Sequence, residues 1–264
     1  MKLKGLSLLI IILVLAGSMV ILNLNSRSVY ISENMSFIPE DSGGDTGFMT
    51  YNIQRGLDLE GKSNLSDIAE LINDNGFGIV GLNEVDRHTF RSGFRDQIGI
   101  LAEKTGMNYI YAPNVNMLPG SYGNALLTRY SVLSAENYTL PVLGDSEPRG
   151  LLAAEVLLPD GEICNILVTH LSLNRSERKL QLELIEEYVE QLDGPYFLLG
   201  DFNGEKGFSA NFRPLIEDVE TFPADKPAGQ IDYIISDFEI DLQKKGTFSV
   251  PFSDHLPLYV RFNL

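Results

Sequence analysis

Six short stretches carry the side chains best able to do chemistry. Met49-Thr-Tyr-Asn52 ends an apolar run on an amide, and Val80-Gly-Leu-Asn-Glu84 ends another on a carboxylate. Ile166-Leu-Val-Thr-His170 ends on an imidazole, and Leu198-Leu-Gly-Asp201-Phe-Asn203-Gly204 on an acid and an amide two residues apart. Gln230-Ile-Asp232 opens a run with an acid, and Ser253-Asp254-His255 stands just before the last one. A single Asp or Asn after a strand is ordinarily a turn residue, and a single His there is ordinarily a satisfied structural group. Six such places in one chain point to a shared site, because strand ends hold functional groups rigidly. Carboxylates and oxygen donors suit a hard cation, Mg2+ with Mn2+ as a substitute. Three histidines and one cysteine argue against zinc. Phosphoryl transfer needs a charge clamp, a positioned water and a stabilised leaving oxygen. An Asp–His pair can orient an imidazole, and Asn side chains can orient a nucleophile or donate to phosphate oxygens. The set suits hydrolysis of a phosphate ester without a covalent intermediate.

The elements that must position these groups alternate between strand and helix patterns. Strands are expected over Gly47–Ile53, Phe77–Leu82, Tyr109–Ala112, Gly123–Thr128, Val132–Leu140, Leu151–Leu158, Ile163–Thr169, Phe197–Leu199, Ile231–Ile235 and Leu256–Phe262. Helical spacing covers Leu65–Ile72, with Asn64 or Ser63 as a cap and Gly76 as a stop, then Gln97–Thr105 and Ser176–Leu192. Pro159-Asp-Gly161 reads as a hairpin turn. About ten strands with few helices imply two packed sheets with helices outside.

The 264 residues suffice for one sizeable domain. Lys2 and Lys4 precede Gly5–Leu22, an uncharged and mainly apolar run of 18 residues. That run is long enough to span a bilayer as a helix, and the preceding lysines put the amino terminus in the cytoplasm. The expected layout is a short tail at 1–4, a membrane anchor at 5–23, a tether at 24–46 and a catalytic domain at 47–264 outside the cytoplasm. Ala16-Gly17-Ser18 is a passable cleavage site, which keeps a secreted form as the alternative. Cys164 is the sole cysteine, so no internal disulfide forms, and its apolar surroundings mark it as core. The formal charge is −16. Beyond the first segment, setting Arg27 aside with Lys2 and Lys4, 17 basic residues stand against 36 acids, a balance of −19. Such a surface disfavours nucleic acid as a partner.

The motifs YNIQRG, LNEVD, GNALLTR, THL, GDFNG, IDYI and SDHLPL, in that order, resemble those of the endonuclease/exonuclease/phosphatase superfamily. The resemblance runs from about Phe48 to the carboxyl end. It implies a four-layer α/β sandwich, two mostly antiparallel sheets flanked by helices, with the site at one edge of the sheets. Position by position, Glu84 resembles the principal metal ligand, Asn52 the amide beside it, and Asp254 a second carboxylate on the metal side. Asp201 resembles the residue that orients or deprotonates the attacking water, and Asn203 its phosphate-contacting partner. His255 resembles the site histidine on the phosphate and Asp232 the acid that orients it. His170 resembles the phosphate-binding histidine of the phosphatase and phosphodiesterase branches. Asn83 and Gln230 depart from the usual glutamine and basic residue at their positions, and neither removes a catalytic group.

Arg149 in EPRG is a candidate phosphate contact, with a surface ion pair as the bland alternative; Asn124 in GNAL is a candidate support or substrate contact. Arg87, His88, Arg91 and Arg95 read as a solvated loop rather than a basic rim, and Arg175, Arg178 and Lys179 as a charged helix face. Asn-X-Ser/Thr triplets begin at Asn34, Asn64, Asn137 and Asn174. Substrate choice would reside in the loops Asn114–Tyr122, Leu143–Arg149 and Gly204–Phe212. The expected activity is a monomeric, membrane-anchored, Mg2+-dependent hydrolase of a lipid, headgroup or small-solute phosphodiester. A nuclease is the first alternative and an inactive tethered binding module the second.

Overall fold

The computed structural model describes residues 26–32, 45–204 and 212–263. Along the chain it contains β1 (Ser26–Arg27), β2 (Tyr30–Ile31), β3 (Asp45–Asn52), α1 (Leu65–Asp74), β4 (Phe77–Arg87), α2 (Gln97–Thr105), β5 (Asn108–Met117) and β6 (Gly120–Thr128). There follow β7 (Ser131–Thr139), β8 (Gly150–Leu157), β9 (Ile163–His170), α3 (Arg175–Val189), β10 (Tyr196–Asp201), β11 (Arg213–Pro214), β12 (Asp232–Ser236), β13 (Leu242–Thr247) and β14 (Leu258–Asn263).

Two mixed sheets result. One has the order β1-β7-β8-β9-β10-β12-β11 and the other β13-β14-β3-β4-β6-β5-β2. Among the described strands only β3–β4 and β9–β10 pair in parallel, each across a helical crossover. The parallel pairs matter for the site, because they bring two strand C-termini to the same edge. Asn52 falls beside Asn83, and His170 beside Asp201.

Both faces of the central strands are covered, which is why they read as continuous apolar runs rather than alternating ones. Phe48, Ile79 and Leu126 of one sheet meet Ile166, Val168, Phe197 and Leu199 of the other between the layers. On one outer face Met49, Val80 and Leu82 pack with Ile68, Ile72, Ile98 and Leu101 of α1 and α2. On the other, Leu167, Leu198 and Tyr233 pack with Ile185 and Val189 of α3. The layers run helix, sheet, sheet, helix, as the sequence implied. Asp96 caps α2 by accepting from the Gly99 N–H, and Gly106 closes it in a left-handed conformation. Asn64 occupies the cap position of α1 but donates its side chain to the Phe252 carbonyl instead.

Three expectations need correction. The tether is not free throughout: β1 pairs with Tyr138 and Asn137 of β7, and β2 with Tyr111 and Ile110 of β5. Two-residue edge strands are too short to show any period; Tyr30 also lies under the Arg87 guanidinium, 4.3 Å away. Strand β4 continues past Leu82 to Arg87 through a bulge. Strand β13 was missed because its LQKKGT sequence is a largely exposed, lysine-bearing edge. The apolar run at 5–23, the triplet at Asn34 and residues 205–211 of the last specificity loop lie outside the described residues. Among the described residues no helix is long and apolar enough to cross a membrane.

Phe48 sits between the sheets with its ring 4.6 Å from Phe197 and 5.1 Å from Phe262. Phe48→Ala should therefore lower the unfolding free energy by about 3–5 kcal/mol, read as a shift in urea midpoint. A loss well under that range would mean that the layers close over the cavity.

Candidate active site

The floor of the site is built from buried amides. Between Leu82 and Val85 the β4–β6 register shifts, so Asn83 and Glu84 together oppose Asn124. The Asn83 Nδ2 donates to Asn124 Oδ1 at 3.0 Å and to the Thr169 carbonyl at 2.9 Å. Asn83 Oδ1 accepts from the Asp201 N–H at 2.9 Å. Asn124 in turn donates to the Gly150 carbonyl at 3.0 Å and the Val168 carbonyl at 3.4 Å. These bonds join β4 and β6 of one sheet to β8, β9 and β10 of the other. They also take both donors of Asn124, so it supports the site and does not offer an N–H to substrate. Sequence reasoning treated Asn83 only as a departure from the family pattern. Its signal was a lone amide inside the buried run of β4.

The bulge has a second effect. Glu84 adopts a left-handed conformation with φ of 59°. Such a backbone is uncommon for a residue with a side chain and marks a position held by its surroundings. Gly200 is required before Asp201, since a Cβ there would lie 1.8 Å from the Thr169 carbonyl oxygen.

Above this floor the predicted residues converge. Asn52 Nδ2 donates to Asp201 Oδ2 at 3.0 Å and to Glu84 Oε1 at 3.3 Å, while its Oδ1 accepts from the Gln54 N–H. Asn52 thus serves the acids as a donor and does not turn its oxygen toward them. Asp201 Oδ1 accepts from the Asn203 N–H at 2.8 Å. His255 Nδ1 lies 2.9 Å from Asp232 Oδ2, and its Nε2 faces Asp201 Oδ2 at 3.6 Å. Asn203 Nδ2 donates both to the Leu171 carbonyl and to His170 Nε2, each at 2.9 Å. Ser253 bonds the Asn52 carbonyl at 2.7 Å and Asp254 Oδ1 at 3.2 Å, which ties the approach to β14 to the end of β3.

The two histidines are in opposite states. Burial, together with the charges of Arg149 and His255, holds His170 well below its ordinary pKa, so it is neutral. Its Nε2 accepts from Asn203, and the 3.3 Å approach to Asp201 is not an ion pair. Burial also pulls His255 down, but Asp232, Asp201 and Asp254 outweigh it and raise its pKa to about 10. His255 is an imidazolium whose Nδ1–H is donated to Asp232. Burial and the Asp232 charge push Asp201 up to about 7, opposed by His255. Burial raises Glu84 too; the Asn52 bond opposes this and the charge of Asp254 adds to it.

Two groupings could hold a cation. Asp201, Asp232 and His255 present one ligand atom each within 4.8 Å of one another. That trio is already joined by a charged imidazole, which is a poor metal ligand. Glu84 and Asp254 are the better fit. They carry oxygen donors only, the charge of Asp254 disfavours ionised Glu84, and a hard divalent cation would relieve that repulsion.

Arg149 is 7% exposed, pairs with Glu147 at 3.0 Å, and leaves its buried Nε without a partner among the described residues. That arrangement exceeds the surface ion pair of the bland reading. Arg178, read from sequence as part of a charged helix face, instead clamps the Ser172 and Leu173 carbonyls at 2.7 and 3.1 Å. Arg91 grips Asp86 with two 2.8 Å bonds and Arg87 pairs with Asp96 at 2.9 Å, so neither is a free, solvated cation.

Residues 49–255 match the model of the Endonuclease/Exonuclease/phosphatase family. The chain belongs to that family. Members are metal-dependent phosphoesterases, and the protein is accordingly a divalent-metal-dependent phosphoric ester hydrolase. A family relative, the protein YbhP of Escherichia coli (strain K12), is 29% identical over 189 residues, covering 62% of this chain and 72% of its own. The Bacteroides thetaiotaomicron mannosyl-6-phosphatase superposes with a TM-score of 0.70 at 16% identity, covering 82% of this chain and 99% of that one. The D. rerio TDP2 structure complexed with single strand DNA product superposes at 0.64 and 16% identity, covering 83% and 99%. These two likenesses establish the shared fold.

Two outcomes test the geometry. Asn83→Ala strands the Asp201 N–H and the Asn124 oxygen, and should cost about 1–3 kcal/mol in unfolding free energy. Asp232→Asn removes the main partner of His255. In the metal-free protein, its NMR titration should fall from about 10 toward the ordinary histidine value of 6.5. A raised histidine stabilises the fold in full below its unfolded pKa, and that contribution is lost as pH rises through about 10. The pH dependence of stability between those values should therefore flatten in the variant.

Proposed function

We propose that the protein is a membrane-anchored hydrolase of a phosphodiester, of lipid, headgroup or small-solute type, using Mg2+. The reading rests above all on the ionisable pair Asp201 and His255, set side by side in opposite charge states and held by Asn52, Asn203 and Asp232. Ionised Asp201 accepts a proton from the attacking water, for which a carboxylate titrating near neutrality suits. The His255 imidazolium offers its Nε2–H to a phosphate oxygen, and Asp232 keeps it charged and oriented. Arg149, whose charge acts on His170, is a second cation for the phosphate. Asn203 fixes the neutral His170 so that its ring faces the same space. Glu84 and Asp254 hold the metal, and Asn52 keeps Glu84 in place. The bound cation supplies positive charge to the phosphate and to the leaving oxygen.

The anchor is read from the apolar run Gly5–Leu22. The TDP2 neighbour solved with a DNA product supports a nuclease as the second reading. The formal charge of −16 weighs against it.

The test is hydrolysis by the full chain of a generic phosphodiester, a phosphomonoester, plasmid DNA and phospholipid vesicles, with and without EDTA. Turnover of a lipid or small diester should require the cation. Asp201→Ala should reduce it by about 10²–10⁴-fold while circular dichroism is unchanged. Nicking of DNA without lipid or diester turnover would replace this reading with the nuclease.

A further inference from the structure

The edge of the sandwich that holds the active site also carries six of the thirteen large apolar side chains that stand exposed among the described residues. Six large apolar side chains stand exposed on loops that leave the site-end termini of β3, β4, β5, β7 and β9: Leu59, Phe90, Phe94, Leu118, Leu143 and Leu173. Phe90 is 79% exposed and lies edge-to-face with Phe94, centroids 5.8 Å apart. Leu173 is 78% exposed and follows His170 by three residues. The β5–β6 hairpin continues five residues past the Ala112–Asn124 pair at the site floor before closing at Met117–Gly120. It therefore stands roughly 15 Å proud of the floor, and Leu118 at its tip is 100% exposed. Single exposed apolar residues are ordinary, but a set gathered around a catalytic mouth marks a surface that meets something apolar.

A second observation says what that is. Ser26 of β1 pairs with Tyr138, one step from the Thr139–Gly150 pair that lies level with the site. Because β1 runs antiparallel to β7, the amino-terminal end of β1 points toward the site edge. Only Asn23, Leu24 and Asn25 separate Ser26 from the apolar run ending at Leu22. Three residues reach about 10 Å at full extension. A bilayer holding that run is brought to the same rim that carries the exposed apolar loops.

We propose that the active-site face docks on the bilayer through these loops, so that the substrate is a phosphate ester borne on a membrane lipid. This rests on the anchored reading given above and narrows its substrate class. Insertion is apolar and not electrostatic, since the chain carries a formal charge of −16 and two of the rim arginines are paired with acids.

The chain contains no tryptophan, so one introduced indole reports its own position alone. The full chain is reconstituted into phosphatidylcholine vesicles with brominated acyl chains, as Leu118→Trp, Leu173→Trp and Ile163→Trp. Ile163 is 46% exposed and opens β9 at the end away from the site, about 20 Å from His170. Emission from the first two variants should shift to the blue and be mostly quenched, while that from Ile163→Trp is unchanged. Equal, weak quenching at all three positions, in protein that floats with the vesicles, would overturn the docking and leave the anchor standing; the loops would then be a surface for a protein partner. Protein that does not float with the vesicles would overturn both. The readout needs no turnover, so it is separate from failure of the hydrolase reading.

Discussion

Asn83 lies where the two sheets converge, and its amide answers three buried polar groups at once. It takes the Asp201 N–H and donates to Asn124 and to the Thr169 carbonyl. Away from this edge the sheets meet mainly through apolar contacts, which resist separation but tolerate sliding. A buried amide with directional partners does not tolerate sliding, because each displaced bond leaves a group unpaired in a dry interior. The floor of the site is thus registered across the layers by hydrogen bonds. The ends of β4, β9 and β10, from which Glu84, His170 and Asp201 project, inherit that register.

On this floor the acids are crowded beyond what burial favours, and the fold answers with charge and donors. Asp201 and Asp232 share the field of one imidazolium, and Glu84 leans on an amide donor while feeling Asp254. The same crowding that is unfavourable to the resting fold makes the place receptive to a divalent cation, and burial with the Asp232 charge keeps a carboxylate titrating near neutrality. His170 differs because burial, with the charges of Arg149 and His255, outweighs its approach to Asp201, so two histidines of one site hold opposite charge.

The edge strands extend this arrangement to the outside of the domain. β1 and β2 occupy the far edges of the two sheets within a span of six residues. They cover strand edges that would otherwise be open.

Much of this was legible from residue types alone. Apolar runs ending in Asn52, Glu84, His170 and Asp201 already implied strands with their chemistry at their ends, and the family resemblance implied that those ends share one edge of the sheets. Order and spacing carried the family, because those motifs are local. Other properties required the fold. The roles of Asn83 and Arg178 could not be read, and support and substrate contact both stayed open for Asn124, since an amide or guanidinium acquires its function from partners distant in sequence. The opposite charges of His170 and His255 depend on which groups burial places beside each. The strands β1 and β2 are defined only by their pairing with β7 and β5, which are distant in sequence. The sequence by itself determined which side chains were available and that they stand at strand ends, through local patterning. Only the tertiary structure decided which of them meet, which carry charge and which way the mouth faces, because those depend on contacts between residues up to 203 positions apart.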